Sequence, residues 1–156
     1  MRRFAWAVGA LGLLMAAPPV AHAQEDVTGA QLHRNYPNPF STETTIPFTL
    51  SQELWSDGED PLVSLRIYNI LAQLVAIPVF KDSEEPVDSV QMSWNGSGDY
   101  EALWDGKVDE TGQGAAAGVY IYQLEVDGRV YQRTMTIEEL EEVDGKVYQR
   151  TMSIER

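Results

Sequence analysis

The sequence predicts an all-β sandwich. Three observations carry this expectation. Apolar and polar residues alternate in short runs along most of the chain, turn-forming residues separate the runs, and no stretch keeps the 3.6-residue apolar spacing of a helix.

The runs come in order. Ile46, Phe48 and Leu50 alternate on one face, with Pro47 marking that strand as an edge or its start, where a missing N–H costs no ladder bond. After the acidic turn Ser56–Pro61, Val63, Leu65 and Ile67 form a second set. Val75, Ile77 and Val79 make a third, Val90, Met92 and Trp94 a fourth, and Tyr100, Ala102 and Trp104 a fifth. The sixth run, Val119 to Val126, is apolar on both faces in its first half, as a central strand is. Its main core face is Tyr120, Tyr122, Leu124 and Val126. Asp127-Gly128 then supplies a two-residue hairpin turn, because both positions accept positive φ. A seventh strand follows over Arg129 to Ile137, with Met135 and Ile137 pointing inward.

One internal repeat stands out. Val126 to Glu138 recurs as Val143 to Glu155, a period of 17 with two copies. A solenoid needs at least three, so the repeat reads as a tandem duplication of the last hairpin arm. Only one copy can occupy the seventh position. The first is tethered by a two-residue turn and closes more cheaply. The acidic stretch Glu138–Glu142 is expected to be a break, leaving the second copy as an added edge strand or a loosely held tail.

The ends set the compartment. Arg2 and Arg3 precede an apolar stretch from Phe4 to Ala17, and Ala21-His22-Ala23 supplies the small-x-small cleavage pattern. Residues 1–23 are expected to be a signal peptide cut between Ala23 and Gln24. Pro18 and Pro19 close the apolar run before it reaches membrane-spanning length, and the mature chain carries no later apolar run long enough to span. The remaining 133 residues amount to one domain, with a polar leader at 24–34, a folded region at 35–138 and the duplicated segment at 139–156. The mature chain has 9 basic and 24 acidic residues, a formal charge of −15. That surface repels nucleic acid and anionic membranes. It reads as a solubility device, or as a fit to a high-salt habitat where screening removes self-repulsion. There is no cysteine, so packing alone must stabilise the fold.

Little here suggests catalysis. His33 has no partner at metal-ligand spacing. Asp105 and Asp109 lack the dense alternating ligands of a calcium loop, and Asn95-Gly96-Ser97 reads as a turn. The chain is expected to be no enzyme, with no catalytic, metal or cofactor-binding residue.

Asn35-Tyr36-Pro37-Asn38-Pro39-Phe40 opens the folded region as a stiff, turning segment in which two prolines fix φ. Asn38 is placed to close an Asx turn, and Tyr36 and Phe40 to dock on the core. Further on come Thr44 to Leu50, then Leu65 to Val75 with Tyr68-Asn69, then Leu103-Trp104-Asp105-Gly106, Gly112, and Gly118-Val119-Tyr120-Ile121-Tyr122. In order and spacing these resemble the C-terminal sorting domain of the type IX secretion system, itself similar to the immunoglobulin-like domain of the flagellar hook-capping protein. The resemblance runs from about Leu32 to Glu138. Its signature falls on Tyr36, Pro37, Asn38, Pro39, Phe40, Tyr68, Asn69, Trp104, Asp105, Gly106, Gly112, Gly118, Tyr120 and Tyr122.

The resemblance implies an immunoglobulin-like β-sandwich of about seven antiparallel strands. It also implies a non-catalytic module recognised by components of the type IX outer-membrane translocon. Such a protein passes the periplasm and ends at the cell surface or outside the cell. A structural or adhesive module of a surface assembly is the alternative. Two departures stand out. Ala72 occupies a turn position where the family usually has glycine, and alanine there is costly if φ is positive. The family's domain also trails a long passenger, whereas here it follows the signal peptide after roughly ten residues, as expected of a domain acting alone or of a remnant.

Overall fold

Inward-facing alternation builds two packed sheets. The computed structural model describes residues 29–143 and 146–150, with side chains described as far as Glu139. The strands are β1 (Ala30–Leu32), β2 (Thr44–Leu50), β3 (Leu62–Asn69), β4 (Leu74–Ala76), β5 (Val79–Phe80), β6 (Val90–Gln91), β7 (Asp99–Trp104), β8 (Gly118–Val126), β9 (Arg129–Ile137), β10 (Glu139–Val143) and β11 (Lys146–Arg150). One sheet has the order β1-β2-β7-β5 and the other β4-β3-β8-β9, with β6 also pairing β3. All pairs within the two sheets are antiparallel. Leaving aside the short β4 and β6, this is the four-plus-three strand order of a constant-type immunoglobulin sandwich.

The core lies between the sheets. Ile46, Phe48, Leu50, Ala102 and Trp104 face Val63, Leu65, Ile67, Tyr122, Leu124 and Met135, all essentially inaccessible to solvent. As expected, β8 is central, between β3 and β9. The Asp127-Gly128 turn has φ of 47° and 81°, and Asp127 Oδ1 accepts from the Leu62 N–H at 2.9 Å. The seventh strand spans Arg129–Ile137 with Met135 and Ile137 buried.

Several expectations are corrected. The leader at 24–34 is not all unpatterned, because Ala30–Leu32 pairs with β2 and buries Ala30 and Leu32. Pro47 lies in an inner strand, between β1 and β7. Its carbonyl accepts from the His33 N–H just beyond the end of β1, so the missing N–H points where strand pairing has stopped. Val75, Ile77 and Val79 are not one strand. Pro78 interrupts the run, and the chain crosses from β4 in one sheet to β5 in the other. Of the fourth set, only Val90–Gln91 is strand, and Trp94 packs edge-on against Trp55 with ring centroids 4.9 Å apart. Trp55 ends a short 3-10 turn, Gln52–Trp55, capped by Ser51, that periodicity does not reveal.

The acidic stretch is no break either. Glu139–Val143 is a strand, and it pairs antiparallel with Lys146–Arg150 in a separate two-stranded sheet. Among the described residues, Lys146–Arg150 of the second copy pairs with Glu139–Val143 and with no strand of the sandwich. The signal peptide, the Ala23–Gln24 cleavage site, and Met152 and Ile154 lie outside the described residues.

Candidate recognition surface

Most of the signature residues gather at one pole of the sandwich. The end of β3, the start of β8 and the end of β9 meet there, through the register Asn69↔Tyr120 and Gly118↔Ile137. Phe40 and Tyr120 pack edge-on against Trp104, with centroids 5.5 and 5.6 Å from it. Trp104 is buried, and its indole N–H donates to the Lys107 carbonyl at 2.9 Å, which satisfies the one polar group the ring carries. Asp105 caps the turn by accepting from the Lys107 N–H at 3.0 Å. Gly106 has φ of 71°, and a Cβ there would come within 2.9 Å of the Thr42 carbonyl, so only glycine lets these loops close. Gly112 donates its N–H to the Val108 carbonyl at 2.7 Å. Gly118 opens β8.

Tyr120 makes the tyrosine corner of immunoglobulin-like folds. Its hydroxyl donates to the Ala116 carbonyl four residues upstream, at 2.7 Å. Tyr122 reaches the other way. Its hydroxyl donates to the His33 carbonyl at 2.7 Å and accepts from the buried Asn35 N–H at 3.1 Å. Burial raises the pKa of both phenols, and for Tyr122 the Asn35 hydrogen bond partly opposes this.

The Tyr36–Phe40 segment, whose Tyr36-Pro37 and Asn38-Pro39 bonds are cis, straps the last strand. Asn38 Oδ1 accepts from the Thr136 N–H at 3.1 Å. Phe40 donates its N–H to the Thr136 carbonyl and accepts from the Glu138 N–H. Asn38 therefore closes the edge of β9 at Thr136 alone, where an Asx turn was expected. Phe40 is buried, but Tyr36 is half exposed and its hydroxyl donates to the Glu101 carboxylate. That bond, with the Lys81 ammonium next, holds the Glu101 carboxyl below its usual range.

Asn69 organises the β3–β4 turn. Its Oδ1 accepts from the Leu71 and Gln73 N–H groups, both at 3.0 Å. Ala72 carries the left-handed φ, 59°, that the glycine of the resembling family would suit. The turn keeps its shape in spite of the alanine.

Sequence reasoning missed what this pole exposes. Ile70 and Leu71 are each 73% exposed at the turn tip, and Leu74 is 53% exposed. Leu74 pairs with Tyr68, Tyr68 with Ile121 and Ile121 with Thr134, so an apolar row crosses the outer face of the sheet to the free side of β9. The far half of that face is ionic, with Arg66 held by Asp88 at 2.6 Å and Glu125 at 3.6 Å. The one available signal was two large aliphatics inside a turn.

A groove of about 380 Å³ on the opposite sheet is lined by His33, Thr49, Asp82, Asp99, Tyr100 and Glu101, among others. Most of its polar groups are tied to one another. His33 Nε2 lies 2.8 Å from Thr49 Oγ1, which bonds Asp99 at 3.0 Å, and Glu101 holds Tyr36 and Lys81. Asp109 accepts from the Ile77 N–H at 2.7 Å, and Asn95 closes its own turn on Ser97 and Gly98. Among the described residues no helix is long and apolar enough to cross a membrane.

No family model matches the chain, and no curated protein does. Among solved structures, dimeric latent PorU from Porphyromonas gingivalis is similar at 22% identity and a TM-score of 0.49, over 69% of this chain and 9% of that one. The chain thus spans about a tenth of the length of that structure.

Proposed function

We propose that the chain is an exported, non-catalytic recognition module, read by the type IX outer-membrane secretion machinery through protein–protein contact. One observation carries the reading. The signature residues build and lock one pole, and that pole presents Ile70, Leu71 and Leu74 to solvent on a chain that is otherwise strongly acidic. Exposed aliphatics beside an open strand edge suit a protein partner that adds apolar contacts to edge pairing. The signal-peptide pattern at residues 1–23 supports export across the inner membrane.

The test is delivery. A reporter placed between residues 23 and 24, in a host with the secretion system, should reach the surface or medium. Ile70→Ser with Leu71→Ser should leave the melting temperature nearly unchanged and hold the reporter in the periplasm. A reporter that stays periplasmic behind the unaltered module would overturn the proposal.

A further inference from the structure

The β9 strand that pairs with β8 is written twice in the sequence. Val126–Glu138 and Val143–Glu155 differ at two positions, Arg129/Lys146 and Thr136/Ser153. Thr136/Ser153 lies on the outward side, and Arg129/Lys146 sits at the exposed end of the inward row, where the charge is kept. The residues that β9 turns into the sandwich are Tyr131, Arg133, Met135 and Ile137, and all four recur as Tyr148, Arg150, Met152 and Ile154. The strap over β9 reads backbone, through the Thr136 N–H and C=O and the Glu138 N–H. Arg133 Nε donates to the Leu32 carbonyl at 2.6 Å, a contact Arg150 could make equally.

The second copy meanwhile holds an inferior partner. The β10–β11 register, Glu139↔Arg150 through Val143↔Lys146, repeats the β8–β9 register, Tyr122↔Arg133 through Val126↔Arg129, shifted by the repeat. Where β8 offers Tyr122 and Leu124, β10 offers Glu139 and Glu141. An isolated two-stranded hairpin of that composition is marginal in water.

We propose that Lys146–Glu155 is a second ligand for the β8 edge and exchanges with β9 within the same chain. The first copy prevails through closure alone. A connection of 19 residues, 127–145, replaces one of two, which lowers the weight of the second state about thirtyfold.

The experiment is urea unfolding of the full chain and of a chain ending at Glu139, followed by tryptophan fluorescence. Met135→Asp places a carboxylate in a site only 1% exposed. In the shortened chain it should raise the unfolding constant by more than about a thousandfold. In the full chain the rise should stop near thirtyfold, because Met152 replaces Met135. Met152→Asp alone should be silent, and the double variant should restore the full loss. Trapping gives an independent readout, since the chain has no native cysteine. Ile121 pairs with Thr134, whose repeat equivalent is Thr151. I121C with T151C should form an intrachain disulfide more slowly than I121C with T134C. Equal losses for Met135→Asp in both chain lengths would overturn exchange, and disulfides formed only between chains would overturn its intrachain form.

Discussion

Trp104 closes the pole from inside, touching Phe40 and Tyr120 edge-on while its N–H is satisfied at Lys107. Trp104→Ala should cost about 3–5 kcal/mol, because a ring site this enclosed cannot collapse fully. Asp105→Ala should cost far less, since its carboxylate is exposed and caps a turn; the two denaturation midpoints make the comparison. Ala72 gives the opposite sign. A left-handed φ costs an L-residue about 1–2 kcal/mol, and glycine's looser unfolded chain takes back about half of that. Ala72→Gly should therefore stabilise by up to about 1 kcal/mol, read as a higher urea midpoint. Tyr122 carries a pH dependence. Its folded pKa is raised, chiefly by burial, so its contribution is whole below the unfolded value near pH 10 and falls as pH rises through the folded value. Tyr122→Phe should cost about 1–3 kcal/mol at neutral pH by orphaning the Asn35 N–H, and should flatten the alkaline decline. Tyr120 and Tyr100, also raised by burial, keep part of that slope.

At the scale of elements, the duplicated arm is the simplest test. The β10–β11 sheet shares no strand pairing with either sandwich sheet. Deleting residues 139–156 should leave the melting temperature within a few degrees, measured by circular dichroism; a large fall would show that the second copy completes the sandwich. Elements were legible where alternation ran uninterrupted. The core faces of β2, β3, β8 and β9 follow from Ile46, Leu65, Tyr122 and Met135 and their neighbours at spacing two. Alternation failed where a strand was too short to show a period. Ala30–Leu32 is three residues and Val90–Gln91 two, and both are strands because longer neighbours offer them an edge. It failed again at Pro78, where spacing two continues through a change of sheet. In β10 the acidic side chains hid a strand set by hairpin register with the second copy.

For the whole molecule, the pole was legible in part. The motifs between Tyr36 and Tyr120 named most of the residues that meet there, since most are turn formers or large aromatics. What they leave exposed was not legible. Ile70, Leu71 and Leu74 look like core residues until the Asn69 turn places them outside. Asn38 and Tyr36 were likewise misplaced, because their partners, Thr136 and Glu101, lie 98 and 65 residues away.

The grip of the first residues on the last strand has a consequence in time. Leu32 meets Arg133 across 101 residues, and Asn38 meets Thr136 across 98. Contacts between opposite ends of a chain are made only after a large loop has closed, which slows folding of such sandwiches to milliseconds or longer. In a chain that emerges N-terminus first, Leu32 can pair with Phe48 and Phe40 can meet Trp104, but the strap onto β9 cannot close until Thr136 and Glu138 have come through. Until then the sandwich stays unfinished.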